Sequence, residues 1–404
     1  MKKIAHLVLG IITSIGGFVE VGSISTAAQA GAEFGLHLLW AIAAAAFILA
    51  LLTEMCGRLA AVSGQTLASA VRERFGFHFQ LVLLGAELVL DFLLLSAELG
   101  GAAIALQLVT GVDFRWWLVP VAVVGWTILW FGSFAVIEDG LGFLGLITLV
   151  FVVAAWRLRP PAAAIASGFV PSLPDHDFAR YGFFAISIVG ATVSPYLLNF
   201  YSSGAVEEGW GEDDLFSNRV TAYVGMGFGA VVSMGVLVAA ALVLGPRHIR
   251  VDSYEQAALM FLPAFGHHAV QLFAAGLGVG CLGASVEISL NAGYVFAQGF
   301  GWPWGADKNR LETARFSAAM TLMLLASLAF ALIGFDPLRV TLISVALTVI
   351  VLPILVLPIL VLMNDERLVK SYRSGRVGNA LLATLCIVAA ALALIVVPFE
   401  VMGG

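Results

Sequence analysis

Glu20 is the residue of this chain best placed to do chemistry. It lies in Gly16-Gly17-Phe18-Val19-Glu20-Val21-Gly22-Ser23, inside the first apolar stretch. A carboxylate there faces hydrocarbon, and its charge is costly unless something compensates it. Glycines on either side weaken the helix, so the backbone can unwind and leave carbonyls free. A second interruption lies at Gly190-Ala191-Thr192-Val193-Ser194-Pro195-Tyr196. Pro195 lacks a backbone donor and clashes with the preceding turn, which breaks a helix. Two interrupted spans at corresponding places of two halves are the pattern of a solute site at the membrane midplane.

Further acids follow a helical period. Glu87, Asp91 and Glu98 are spaced i, i+4, i+11, which sets all three on one stripe of a third helix. Such a stripe suits a proton path or a polar cavity wall, with Glu98 and Asp91 as its candidates beside Glu20. Glu287, Asn291 and Gln298 repeat the spacing on an eighth helix. There Glu287 and Asn291 either line the cavity or Glu287 pairs with an arginine elsewhere. Glu54 and Arg58 form an i, i+4 pair in the stabilising order, a structural feature. Cys56, Cys281 and Cys386 sit in apolar runs and are packing residues. The chain carries no HExxH helix and no GxSxG turn, so no enzyme activity and no cofactor are expected.

The elements that must position these groups are membrane helices. The 404-residue chain is 61% hydrophobic and 11% charged, far below the roughly 25% of a soluble protein. No basic cluster suggests nucleic acid. Spans of about 20 apolar residues can be placed at roughly 8–30, 37–61, 79–109, 115–133, 139–157, 181–204, 219–245, 268–298, 312–333, 339–362 and 377–399. With the N-terminus inside, thirteen Lys and Arg residues fall on the cytoplasmic side and seven opposite, which favours a cytoplasmic N-terminus and an outside C-terminus. The first residues imitate a signal peptide, with Ala28-Gln29-Ala30 as a cleavage site, but Glu20 spoils the apolar core. The interrupted spans open segments one and six. The chain therefore divides into a first five-helix repeat (1–157), an outside connector (158–180), a second repeat (181–362), and a loop with an eleventh helix (363–404). The expected setting is a bacterial inner membrane, with the protein a monomer in the lipid bilayer.

Several motifs carry a family resemblance. Leu38-Leu39-Trp40, Glu54-Met55-Cys56-Gly57-Arg58-Leu59-Ala60 and Ser63-Gly64-Gln65-Thr66-Leu67 resemble the second helix of the natural resistance-associated macrophage protein (NRAMP) metal transporters. Ala97-Glu98-Leu99-Gly100-Gly101-Ala102-Ala103-Ile104-Ala105-Leu106 is similar to their third helix. Gly168-Phe169-Val170-Pro171-Ser172-Leu173-Pro174 with Gly190-Ala191-Thr192-Val193 resembles the approach to the sixth, and Ala292-Gly293-Tyr294 through Gln298-Gly299-Phe300 the end of the eighth. The resemblance implies an all-helical, LeuT-like 5+5 inverted repeat with helices 1 and 6 unwound at the midplane, alternating access and proton coupling.

This chain departs from the family at the ligands. The first-helix motif Asp-Pro-Gly-Asn aligns with Glu20-Val21-Gly22-Ser23, and Met-Pro-His of the sixth with Ser194-Pro195-Tyr196. A second family histidine aligns with Tyr201, a tenth-helix Gln with Val345, and a third-helix Asp with Leu95. The resemblance implies a metal held by Glu20, Ser23, the Ala191 carbonyl and Ser194, an oxygen set without the thioether that selects soft ions. A partly hydrated divalent cation such as Mg²⁺ or Mn²⁺ suits it. A sugar-like polyhydroxyl solute also suits a carboxylate with hydroxyl, amide and aromatic partners, here Glu20, Gly22, Ser23, Ala191, Ser194, Tyr196, Asn199 and Tyr201. The expectation favours the organic solute in a proton-coupled secondary transporter, with the metal ion as the alternative and a non-transporting receptor as the rival of a different class.

Overall fold

The computed structural model describes residues 20–172, 174 and 177–401. Gly16-Gly17, the start of the first span and the signal-like N-terminus lie outside the described residues, as does the end of the chain after Val401. The helices that matter are α1 (Val21–Phe34), α2 (Leu39–Ser63), α3 (Phe77–Thr110), α4 (Phe114–Phe131), α5 (Phe134–Gly145) and α6 (Leu149–Arg157). There follow α7 (Phe178–Thr192), α8 (Pro195–Glu207), α9 (Met226–Val243), α10 (Ala269–Phe300), α11 (Ala314–Leu332), α12 (Pro337–Leu362) and α13 (Arg376–Val401). Among the described residues, nine helical stretches are long and apolar enough to cross a membrane, and Arg376–Val388 adds a shorter apolar helix. The expected first span is described only from Glu20 onward.

Local chemistry sets the breaks. Glu20 is extended (φ −107°, ψ 170°) and α1 starts at the next residue. α7 stops at Thr192, and Ser194 caps α8 with Pro195 at its first position. A proline there has no donor to lose, because the first N–H groups of a helix are unpaired anyway. The connector expected at 158–180 is not bare coil: it holds a short helix, Ala162–Gly168.

Helix neighbours come in matched pairs. α1 packs on α9 as α8 packs on α2; α3 meets α4 as α10 meets α11; α3 meets α12 as α10 meets the α5–α6 span; α3 and α10 run along each other. Advancing every partner by five spans turns one pairing into the other, which is what two interlocked five-span repeats produce. The broken sixth span is the hub: 78% of its apolar window is buried, against 28% for α4 on the rim. The far ends of α1 and α7 are tied together. Arg180 pairs with Glu33 at 2.8 Å, Phe34 meets the Tyr181 ring edge-on at 5.3 Å, and the Tyr181 hydroxyl donates to the His37 carbonyl while accepting from Trp40 Nε1.

The second tie joins α2 to α8 through Gly57. A methyl group at Gly57 would lie 2.1 Å from Asn218 Oδ1 and 2.7 Å from the Tyr201 ring, so no side chain fits. Asn218 uses the space to donate to the Glu54 carbonyl at 2.9 Å and to accept from the Tyr201 hydroxyl at 3.0 Å. Gly57→Ala should therefore destabilise by about 1–3 kcal/mol through overpacking. Thermal unfolding of the detergent-solubilised protein checks this, and an unchanged midpoint would refute the packing.

Candidate functional site

The start of α1 and the break between α7 and α8 meet on one carboxylate. Glu20 is 1% exposed. Its Oε1 accepts from Ser194 Oγ at 3.0 Å and its Oε2 from the Tyr196 hydroxyl at 3.2 Å. Both donors sit in the first turn of α8 or just before it. The Ser23 hydroxyl serves the backbone of the same residue, accepting from Glu20 N–H at 3.2 Å and donating to the Glu20 carbonyl at 2.9 Å. Gly22 gives clearance: a side chain there would stand 3.3 Å from Glu20 Oε1, 3.4 Å from Val345 and 3.7 Å from Ala191. The Ala191 carbonyl lacks its usual helical donor for a simple reason. Its helical donor would be the N–H four residues on, and that residue is Pro195. The Glu20 carboxylate and the hydroxyls of Ser194 and Tyr196 thus meet between the start of α1 and the start of α8, with Ala191 of α7 beside Gly22.

Glu98 on α3 holds the other side of the break. Its Oε1 accepts from the Val21 N–H, the first of α1, at 2.9 Å, while Oε2 is buried without a hydrogen-bond partner. Two acids therefore flank one helix N-terminus, the end whose dipole favours negative charge.

Asn199 and Tyr201 do not share this centre, contrary to the sequence expectation. Asn199 Nδ2 donates to both oxygens of Glu87, at 2.9 and 2.8 Å. Asn291 Nδ2 bridges Glu87 Oε1 and Asp91 Oδ2, both at 3.0 Å, and its Oδ1 is buried without a partner. Tyr201 points the opposite way, to Asn218 and edge-on to Trp210 at 5.7 Å. The causes differ: Asn199 shares the face of Tyr196 but lies a turn further along α8, level with Glu87, whereas Tyr201, five residues on at about 100° per residue, faces another helix. Glu287 finds no arginine; among the described residues it forms no ion pair, and its Oε2 is buried and unpartnered.

A polar seam leads away from the centre, one that the sequence reading missed. Tyr196, Asn199, Ser203 and Glu207 fall at i, i+3, i+7, i+11 on α8, and Glu287, Asn291, Tyr294 and Gln298 at i, i+4, i+7, i+11 on α10. The stripes meet. Gln298 Nε2 donates to Ser203 Oγ at 2.9 Å, the Tyr294 hydroxyl donates to Glu207, and Arg72 donates to the Gln298 carbonyl at 2.7 Å. Eleven residues of helix cover about 16 Å. Glu207 lies beyond the sixth span expected at 181–204, at the end of α8; the period of the polar residues before it is the available signal.

The electrostatics of the centre follow from what is missing. Glu20, Glu87, Asp91, Glu98 and Glu287 are each 3% exposed or less. Among the described residues none forms an ion pair with Lys, Arg or His; the ion pairs lie elsewhere, as at Glu54–Arg58 (3.1 Å). Five buried, uncompensated carboxylates are not affordable in a low-dielectric interior. They must carry protons or share a cation. Among the described residues no trio of His, Cys, Asp or Glu is placed to cage a metal ion, so hydroxyl, carbonyl and water oxygens would complete any coordination. A cavity of about 790 Å³ lies beyond the far end of α1, lined by Gln29, Glu33, Arg180, Arg250 and Asp252, and Glu20 is sealed from it.

Comparison with known proteins agrees with this fold. A divalent metal cation transporter MntH of Deinococcus radiodurans is 29% identical over 353 residues, covering 83% of this chain and 76% of that protein. A manganese transporter of Eremococcus coleocola superposes with a TM-score of 0.79 at 17% identity, over 96% of this chain and 85% of its own. Mhp1, a nucleobase-cation-symport-1 family transporter, superposes with a TM-score of 0.64 at 15% identity, over 97% and 91%. The family model for natural resistance-associated macrophage protein-like (Nramp) proteins matches residues 10–398. The chain is a multi-pass membrane transporter of the LeuT-like fold, and it belongs to the Nramp family.

Proposed function

We propose that the chain carries a hard divalent cation, Mg²⁺ or Mn²⁺, across the membrane together with protons. The observation that carries this reading is the set of five buried acids without a basic partner, centred on a site whose donors are all oxygen. Relatives named for divalent metal transport support it. A sugar-like solute has less support: of the aromatic residues around the second break, Tyr196 reaches Glu20, but Tyr201 faces Asn218, and Phe200 packs on Phe134 at 5.9 Å and Tyr294 at 6.3 Å.

In this mechanism Glu20 gives up the hydrogen bonds from Ser194 and Tyr196 to the arriving ion, which both hydroxyl oxygens and the Ala191 carbonyl then face. Mg²⁺ and Mn²⁺ keep part of their water, so one carboxylate suffices. Positive charge at Glu20 favours ionisation of Glu98, and the released proton has the hydrogen-bonded seam between α8 and α10 as its exit. Because Glu98 also holds Val21 N–H, its protonation state bears directly on the entry to α1. The break between Thr192 and Pro195 supplies the second hinge. The charge bias of the loops supports a cytoplasmic N-terminus.

Four outcomes follow in proteoliposomes. Glu20→Gln should abolish Mn²⁺ uptake driven by a proton gradient, and full uptake by that variant would sink the proposal. Glu98→Gln should still move Mn²⁺ down its own gradient while losing the acceleration by an inward proton gradient; retained acceleration would remove Glu98 from the coupling. Wild-type protein should prefer Mg²⁺ and Mn²⁺ to Cd²⁺. Ser194→Met should raise Cd²⁺ affinity by about tenfold, the effect of ~1.4 kcal/mol of added sulfur ligation. Competition of Cd²⁺ against Mn²⁺ uptake measures this, and unaltered competition would exclude Ser194 from the site.

A further inference from the structure

On the outside of the bundle, α3, α10 and α11 enclose a groove of about 570 Å³. Leu88, Phe92, Phe296, Leu322 and Met323 make its walls, and its one charged residue is Arg315. Arg315 lies in the first turn of α11 with its guanidinium 4.5 Å from the centre of the Trp302 ring. Trp302 is itself stacked on Phe300 at 4.8 Å and lies 5.5 Å from Phe296, so the cation rests on a fixed aromatic platform. Among the described residues Arg315 makes no ion pair. Its position at a helix N-terminus adds to the need, since that end of the dipole repels a cation. The guanidinium is exposed, pre-oriented and lacks an anion.

We infer that this groove is a binding site for an anionic glycerophospholipid, one acyl chain lying along α3 and α11 and the phosphate on Arg315. The groove runs along spans that face hydrocarbon, and its walls offer nothing that would recognise a soluble polar ligand. Basic pockets between membrane helices with aromatic residues at their rim hold lipid headgroups by this combination of charge and chain burial. The site lies back to back with the acid cluster: Leu88 follows Glu87 on α3, and Ala292, also on the groove, follows Asn291 on α10. A bound chain thus supports the two helices that carry Glu87, Asp91 and Asn291.

The test is lipid retention by native mass spectrometry of protein purified from vesicles holding equal phosphatidylglycerol and phosphatidylcholine. Wild-type protein should retain phosphatidylglycerol with about fivefold preference, the worth of one arginine at a membrane surface. Arg315→Gln should retain lipid without the preference, and Ala319→Trp, which fills the groove but keeps the cation, should lose the bound lipid. Equal retention of the two lipids by wild type, an unchanged preference in Arg315→Gln, or undiminished retention in Ala319→Trp would each overturn the inference. None of these readouts depends on which solute is transported.

Discussion

A carboxylate that cannot reach water governs this molecule. Glu20 is extended, buried and placed just before α1, with its carboxylate met from α8. Its acceptors are met by Ser194 and Tyr196, at the break of the other interrupted span. The start of α1 and the break between α7 and α8 therefore depend on each other: moving either would leave Glu20 bare in a low-dielectric interior, at a cost of several kcal/mol. Glu98, holding the first amide of α1, fixes the same junction from α3.

The surrounding helices make that junction movable as well as stable. α1 and α7 are coupled at their far ends through Glu33–Arg180 and the Phe34–Tyr181 contact, while α8 is coupled to α2 through Tyr201, Asn218 and Gly57. The halves of the sixth span thus belong to different neighbours, and the residues between Thr192 and Pro195 are where a relative motion can be absorbed. An apolar core would hold such a hinge as well. The five acids are what such a core could not contribute: charge whose compensation changes when protons leave or a cation arrives.

Much of this was legible in the residues. A charge in an apolar run marked Glu20, and a proline in an apolar run marked the second break; both signals are local, because both violate a local rule. Nearness along the chain does not place Asn199 and Tyr201 at Glu20: the rise of one helical turn sets Asn199 beside Glu87, and helical phase turns Tyr201 toward Asn218. The α8–α10 seam was half visible: each stripe has a helical period, but their meeting depends on a fold that joins residues nearly a hundred positions apart. The aromatic residues around the second break suggest an organic solute by composition, and the packing of Phe200 and Tyr201 away from Glu20 weakens that reason. What identifies a ligand is the direction its donors face, and sequence holds that only through the fold.

Anomalous diffraction from crystals grown with Mn²⁺ tests the central claim most directly. A peak bounded by Glu20, Ser194 and the Ala191 carbonyl, lost in Glu20→Gln, is the predicted result. Absence of a peak there at saturating Mn²⁺, with Glu20 still holding Ser194 and Tyr196, would contradict the account.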